Sequence, residues 1–247
     1  MTYKEIYNDT IDERILSTVS TQGIRIFFMP KEGYSKKYAV FSTDYGSIDN
    51  IFVPIGARDR LEVPEGIAHF LEHKLFEEED GDVFEKFSNI GAQVNAFTSF
   101  NQTSYLFYTS NNFYTGLEHL IDFVQNPYLT DENVEKEKGI IGQEIMMYED
   151  NPGWKVYFNL LKAMYHEHPI RIDIAGTIDS IKAISKELLY TTYETFYNPS
   201  NMVLFVIGDL DFDEIVRVVN KAEKEFDLTT GDIERIIPDE PKEVKDR

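Results

Sequence analysis

Apolar and polar positions alternate along this chain with two different periods, and the changes of period mark the elements. Apolar positions with a period of two fall at residues 24–30, 38–45 and 92–100, with a shorter run at 51–55. These predict strands. Within 92–100, Val94, Ala96 and Thr98 alternate against Gln93, Asn95, Phe97 and Ser99. A second strand is predicted at 103–109, and Phe100-Asn101-Gln102 between the two suits a hairpin turn. Residues 203–207 are continuously apolar, as in a buried strand.

Elsewhere the spacing shifts to three and four. Ile67, Phe70, Leu71 and Leu75 form a helical stripe just after Pro64 and Gly66. Helices are also predicted over 82–89, where Gly91 suits the C-terminal cap, and over 112–124, stopping before Pro127. A long helix is predicted over 131–148, with Asp131 as N-cap and Val134, Ile140, Ile141, Ile145 and Met146 as its apolar positions. Pro152 opens a helix reaching about residue 165, and others are expected over 180–184, 185–196 and 211–225. Strands and helices alternate irregularly, with two strands adjacent. That pattern predicts an α+β layered domain over residues 1–226 rather than a doubly wound parallel sheet. Residues 227–247 carry many charges and few apolar anchors, and read as a linker or C-terminal tail.

Composition narrows the function classes. The 247 residues are 42% hydrophobic and 14% aromatic, enough for a substantial core and against global disorder. The formal charge of −20 argues against nucleic acid or an anionic membrane as partner. A solubilising acidic surface explains that charge as well as a preference for basic peptides does. The chain has no apolar run long enough to span a bilayer and no apolar segment behind Met1. It has no cysteine, so neither disulfides nor thiolate metal sites arise, and a cytoplasmic location is expected.

The candidate chemistry lies in His69-Phe70-Leu71-Glu72-His73. On a helix, positions i and i+4 share a face, so both imidazoles can grip one metal ion. Glu72 is too close in sequence to His73 to ligate comfortably but can reach a water on the metal. This is the inverted zincin pattern His-x-x-Glu-His, and it points to zinc-dependent peptide hydrolysis. The bland alternative is an ordinary amphipathic helix, yet two histidines on a buried face rarely find hydrogen-bond partners by accident.

Catalytic zinc usually takes a third protein ligand. Glu137 and Glu144, seven residues apart on the long predicted helix, lie on nearly the same face, and periodicity alone does not choose between them. A solvated acidic face accounts for Glu132, Glu135 and Glu149. Gly139 and Gly142 are poor helix formers and predict the close approach of another helix. His166 and His168 read as a surface loop, His119 as a partly buried structural residue, and Trp154 as the anchor of a helix start.

Several stretches together resemble the catalytic half of the pitrilysin family, which includes insulin-degrading enzyme and the processing peptidases, and within it the bacterial YmfH-type branch. They are Gly66-Ile67-Ala68 leading into the histidine motif, Asn95-Ala96-Phe97-Thr98-Ser99, Val134-Glu135-Lys136-Glu137 leading to Gln143-Glu144-Ile145, Tyr197-Asn198-Pro199-Ser200-Asn201-Met202, and Phe205-Val206-Ile207-Gly208-Asp209. The resemblance runs from about residue 24 to about residue 226. It implies a largely antiparallel sheet with helices on one face, and a zinc-dependent endopeptidase acting on extended peptides. It implies His69, His73 and Glu144 as zinc ligands, Glu72 as general base and Glu137 as a supporting acid. It also implies Asn95, Ala96 and Phe97 as the strand that receives substrate by edge addition. Family subunits carry two similar halves, the second supplying an Arg and Tyr pair that nothing here matches, so a second half-domain or partner subunit is the expected partner. Lys74 stands where Met is common. The competing reading is a non-catalytic binding or scaffold subunit, usually marked by loss of a ligand or of the base, all of which this chain retains.

Overall fold

The period-two alternation sorts the strand side chains onto the two faces of one sheet. In the computed structural model, which describes residues 3–79, 81–224 and 233–246, seven strands build it. They are β1 (Lys4–Asn8), β2 (Glu13–Val19), β3 (Arg25–Pro30), β4 (Lys37–Thr43), β5 (Gln93–Thr98), β6 (Thr103–Thr109) and β7 (Met202–Gly208). Their order is β1-β2-β3-β7-β4-β6-β5. The β3–β7 pair is parallel and the other five are antiparallel, so the sheet is largely antiparallel as expected.

Register places one apolar row across the middle of the sheet. Phe41 lies opposite Leu204 on one side and Tyr105 on the other, and Tyr105 lies opposite Ala96. Phe41, Tyr105 and Leu204 are fully buried, each contributing about 2 kcal/mol or more by leaving water. Helices cover this face: α1 (Ile67–Lys74), α2 (Val83–Asn89) and α3 (Phe113–Gln125) pack directly on it. Phe87 of α2 and Phe113 of α3 set their rings against Phe107, and Phe123 of α3 meets Tyr105 edge-on. Phe27, Val40, Leu106 and Phe205 on the other face are only half-buried. The remaining helices are α4 (Asp131–Glu149), α5 (Pro152–Met164), α6 (Ile178–Lys182), α7 (Lys186–Phe196) and α8 (Phe212–Ala222). Among the described residues no helix is long and apolar enough to cross a membrane.

The structure departs from the sequence reading in several places. β1 and β2 were not expected. They form the outer edge of the sheet, where β1 is wholly exposed, so no apolar alternation betrays them. The N-cap of α4 is Thr130, not Asp131: the Thr130 hydroxyl accepts the Asn133 N–H at 3.1 Å, and the Asn133 side chain accepts the Thr130 N–H at 2.9 Å. Gly139 meets no neighbour, since a Cβ there would touch nothing within 4 Å, while one on Gly142 would make ordinary contact with Ile178 of α6 at 3.7 Å. The close helix approach expected of both glycines is therefore absent at Gly139.

The boundary expected between residues 226 and 227 lies outside the described residues. Residues 233–246 run back over the domain. The Val53 N–H donates to the Glu234 carbonyl and the Ile236 N–H to the Ile51 carbonyl. Arg235 pairs with Asp49 at 3.2 Å, and the Glu240 carboxylate accepts the N–H groups of His166, Glu167 and His168.

Candidate active site

α1 begins at a glycine for a steric reason. Gly66 has φ +89°, and a Cβ there would lie 2.4 Å from the carbonyl oxygen of Ala175. Gly176, at φ +76°, is the reciprocal case, with a Cβ 2.5 Å from the Glu65 carbonyl oxygen. Two glycines thus let the start of α1 and the loop at 173–176 touch backbone to backbone. The stripe of Ile67, Phe70 and Leu71 is buried in the core. That burial turns His69, Glu72 and His73 toward a pocket of about 230 Å³ between β5, α4, α5 and the 173–175 loop.

α4 delivers both acids, and geometry separates them. Glu144 Oε2 lies 3.7 Å from His69 Nε2 and 3.5 Å from His73 Nε2. Glu137 stands behind His73, its Oε1 3.0 Å from His73 Nδ1. Seven residues of helix rise about 10 Å, so one carboxylate reaches the front of the ring and the other the back. A Glu137 carboxylate accepts here, so His73 donates from Nδ1 and keeps the Nε2 lone pair toward Glu144. Lys74, fully buried, closes the back of the site: its ammonium pairs with Glu77, donates to the Asn133 carbonyl at 3.3 Å and lies 3.9 Å from Glu137.

The donor set fits zinc. Nitrogen and oxygen ligands about 2.0–2.1 Å from a tetrahedral ion lie about 3.3 Å apart. The two histidine nitrogens and the Glu144 oxygen all lie within 4.8 Å of one another, with both His–Glu spacings close to that ideal. Two neutral nitrogens and one carboxylate are a common catalytic zinc set. His69 Nδ1 is buried without a hydrogen-bond partner, so only His73 has its ring held by a neighbouring acid.

Glu72 faces the same pocket, its Oε2 accepting the Thr98 hydroxyl at 2.7 Å. Burial raises the Glu72 pKa above the usual carboxylate range, against the lowering effect of that hydrogen bond. Burial, then the neighbouring His73, pulls His69 down to about 4, which keeps its imidazole neutral. For His73, burial acts to lower the pKa, but the Glu137 hydrogen bond and the Glu72, Glu137 and Glu144 charges outweigh it, and the net shift is upward.

Among the described residues β5 is an edge strand, one side of its backbone paired with β6 and the other with no strand. Ala96 and Phe97 line the pocket beside the histidines. Asn95 does not; its side-chain oxygen accepts the Ala96 N–H at 2.9 Å. The sequence reading missed Thr98, Tyr148 and Asp173 as pocket residues and gave Trp154 only a structural role. Tyr148 could have been found, since it lies four residues after Glu144 on one helix face, and its hydroxyl donates to Glu144 Oε1 at 2.7 Å. Burial, and then the Glu144 hydrogen bond, push that hydroxyl up to about 12, so it stays a donor near neutral pH.

Known proteins resemble this chain across the candidate site. Residues 43–178 match the family model described as Insulinase (Peptidase family M16), and residues 183–247 match one described as Peptidase M16 inactive domain. The chain is 55% identical over 225 residues to the uncharacterized zinc protease YmfH of Bacillus subtilis, covering 90% of this chain and 53% of that protein. The crystal structure of an M16-like peptidase from Alicyclobacillus acidocaldarius superposes with a TM-score of 0.89 at 45% identity, covering 100% of this chain and 56% of the other. Pitrilysin shares the fold, with a TM-score of 0.73 at 16% identity over 92% of this chain and 26% of its own. The chain therefore spans about half the length of the first two of these relatives. By its match over the whole of the candidate site, it belongs to the insulinase family of peptidases, family M16.

Proposed function

We propose that this chain is the zinc-binding half of a metalloendopeptidase that cleaves extended peptides. The observation that carries the reading is the convergence of His69, His73 and Glu144 within 4.8 Å in a pocket that also holds Glu72 and borders a sheet edge. His69 and His73, through Nε2, and Glu144, through Oε2, would hold the metal. When bound, zinc supplies a Lewis acid that polarises the scissile carbonyl and acidifies water.

The remaining work falls to the chain's own groups. The edge of β5 receives an extended peptide as an added strand, with Ala96 and Phe97 flanking the bond to be cut. Asn95 caps the Ala96 N–H until substrate arrives. Glu72 takes a proton from the attacking water as the new C–O bond forms, then passes it to the amide nitrogen as the C–N bond breaks. The Thr98 hydroxyl donates to the Glu72 carboxylate and holds it toward the pocket before the first transfer. Glu137 keeps His73 in the ligating tautomer, and Lys74 holds Glu137. A homologous second half-domain or subunit is the proposed partner, since the relatives are about twice as long.

A second reading, a non-catalytic binding subunit, draws on the match of residues 183–247 to a model described as inactive. The ligands and the base all lie outside that range. An unstructured peptide incubated with the chain, alone and within a full-length two-half protein, separates the two. The expected outcome is cleavage in the longer protein that a zinc chelator abolishes and added zinc restores. Peptide binding without cleavage by the zinc-loaded longer protein would favour the binding subunit.

A further inference from the structure

The geometry points to a positioning role for Tyr148: held by Trp154 and Asp173, it occupies one oxygen of Glu144 so that the carboxylate offers the metal its other oxygen alone. This rests on the zinc-site reading above. Tyr148 donates to Glu144 Oε1 at 2.7 Å, while Oε2 is the oxygen facing both histidines. The Tyr148 ring is stacked on Trp154, with centroids 4.7 Å apart and planes 17° from parallel. The Trp154 indole N–H in turn donates to Asp173, whose other oxygen accepts the Ala175 N–H at 3.0 Å. Asp173 and Ala175 belong to the loop that touches the start of α1 through Gly66 and Gly176. A continuous path of contacts thus runs from the histidine helix, through the loop and two stacked rings, to the third ligand.

The path has a chemical consequence. A carboxylate with both oxygens free can chelate a metal through two of them and fill the position a catalytic site keeps open. With Oε1 engaged by the Tyr148 hydroxyl, Glu144 would bind through Oε2 alone and leave the fourth position for water or substrate. The stacking fixes the plane of the Tyr148 ring, and with it the direction from which its hydroxyl approaches. Trp154 and Asp173 therefore act on the metal only through Tyr148 and Glu144.

The test compares wild type with Tyr148→Phe, which keeps the ring and removes only the hydroxyl. Zinc affinity is measured by competition with a chromogenic chelator, and coordination number by the visible absorption of the cobalt(II)-loaded chain. Tyr148→Phe is expected to weaken zinc binding by about 10–100-fold. It should also lower the cobalt band intensity as a fifth ligand atom joins, with thermal unfolding of the metal-free chain unchanged. Trp154→Phe keeps a ring on Tyr148 but loses the bond to Asp173, and a smaller loss of affinity in the same direction is expected. Wild type that binds zinc, beside a Tyr148→Phe chain with the same affinity and the same cobalt spectrum, would overturn the positioning role and leave the zinc site standing. Wild type that binds neither metal would overturn both.

Discussion

Glu72→Gln is expected to abolish peptide hydrolysis while leaving zinc in place. General acid–base catalysis by a positioned side chain contributes roughly 10²- to 10⁴-fold, and among the described residues the other carboxylates around the site are committed elsewhere. Glu144 faces the two histidines and accepts from Tyr148, Glu137 lies behind His73, and the Asp173 carboxylate accepts from Trp154 and Ala175. Glutamine has nearly the same size and can still bond the Thr98 hydroxyl, so the pocket keeps its shape. Because Glu72 is not among the converging ligand atoms, zinc content and affinity should match wild type. Steady-state hydrolysis measured beside zinc content checks both halves of the expectation. A Glu72→Gln protein that cleaves at close to the wild-type rate would show that another group carries the proton.

Gly66→Ala is expected to cost about 3 kcal/mol of folding stability. The φ of +89° puts an L side chain in a region that costs roughly 1–2 kcal/mol. The new methyl would sit 2.4 Å from a backbone oxygen of Ala175, and backbone cannot swing aside as a long side chain can. Relief requires the helix start and the loop to part, and such overpacking costs about 1–3 kcal/mol more. Urea unfolding of the metal-free chain reads the loss directly. A change within about 0.5 kcal/mol would mean that the contact between residue 66 and residue 175 is looser than the geometry states. Zinc affinity should fall as well, because the separated loop carries Asp173 and the far end of the path to Glu144.

Much of this site was legible in the residues themselves, and the parts that were not share a physical cause. The His69–His73 pair is legible because helical geometry converts a spacing of four into one face. Its apolar stripe of Ile67, Phe70 and Leu71 says which way that face turns, and all three are buried. Glu137 and Glu144 are both legible as candidates. Only the packing of α4 against α1 shows that Glu144 reaches Nε2 of His73 and Glu137 reaches Nδ1, since a helical period repeats after seven residues without saying what lies opposite. Lys74, buried at the back of the site, depends on partners on other elements that no local pattern specifies. Trp154 and Asp173 are nineteen residues apart and bond across a loop, a contact that periodicity does not encode. The two outer strands escaped because β1 buries nothing and β2 is at most half-buried, and strand reading depends on a buried face. The edge position of β5, by contrast, follows from the hairpin with β6 only once the order of the whole sheet is known.

The most direct test of the account is zinc content by elemental analysis of the freshly purified chain, wild type beside Glu144→Gln. The account predicts about one zinc ion per wild-type chain, and loss or sharp weakening of it when the third ligand becomes an amide of the same size. Wild type that holds no zinc and takes none up on titration, or a Glu144→Gln chain that binds it as tightly as wild type, would contradict the three-ligand site on which the proposed chemistry rests.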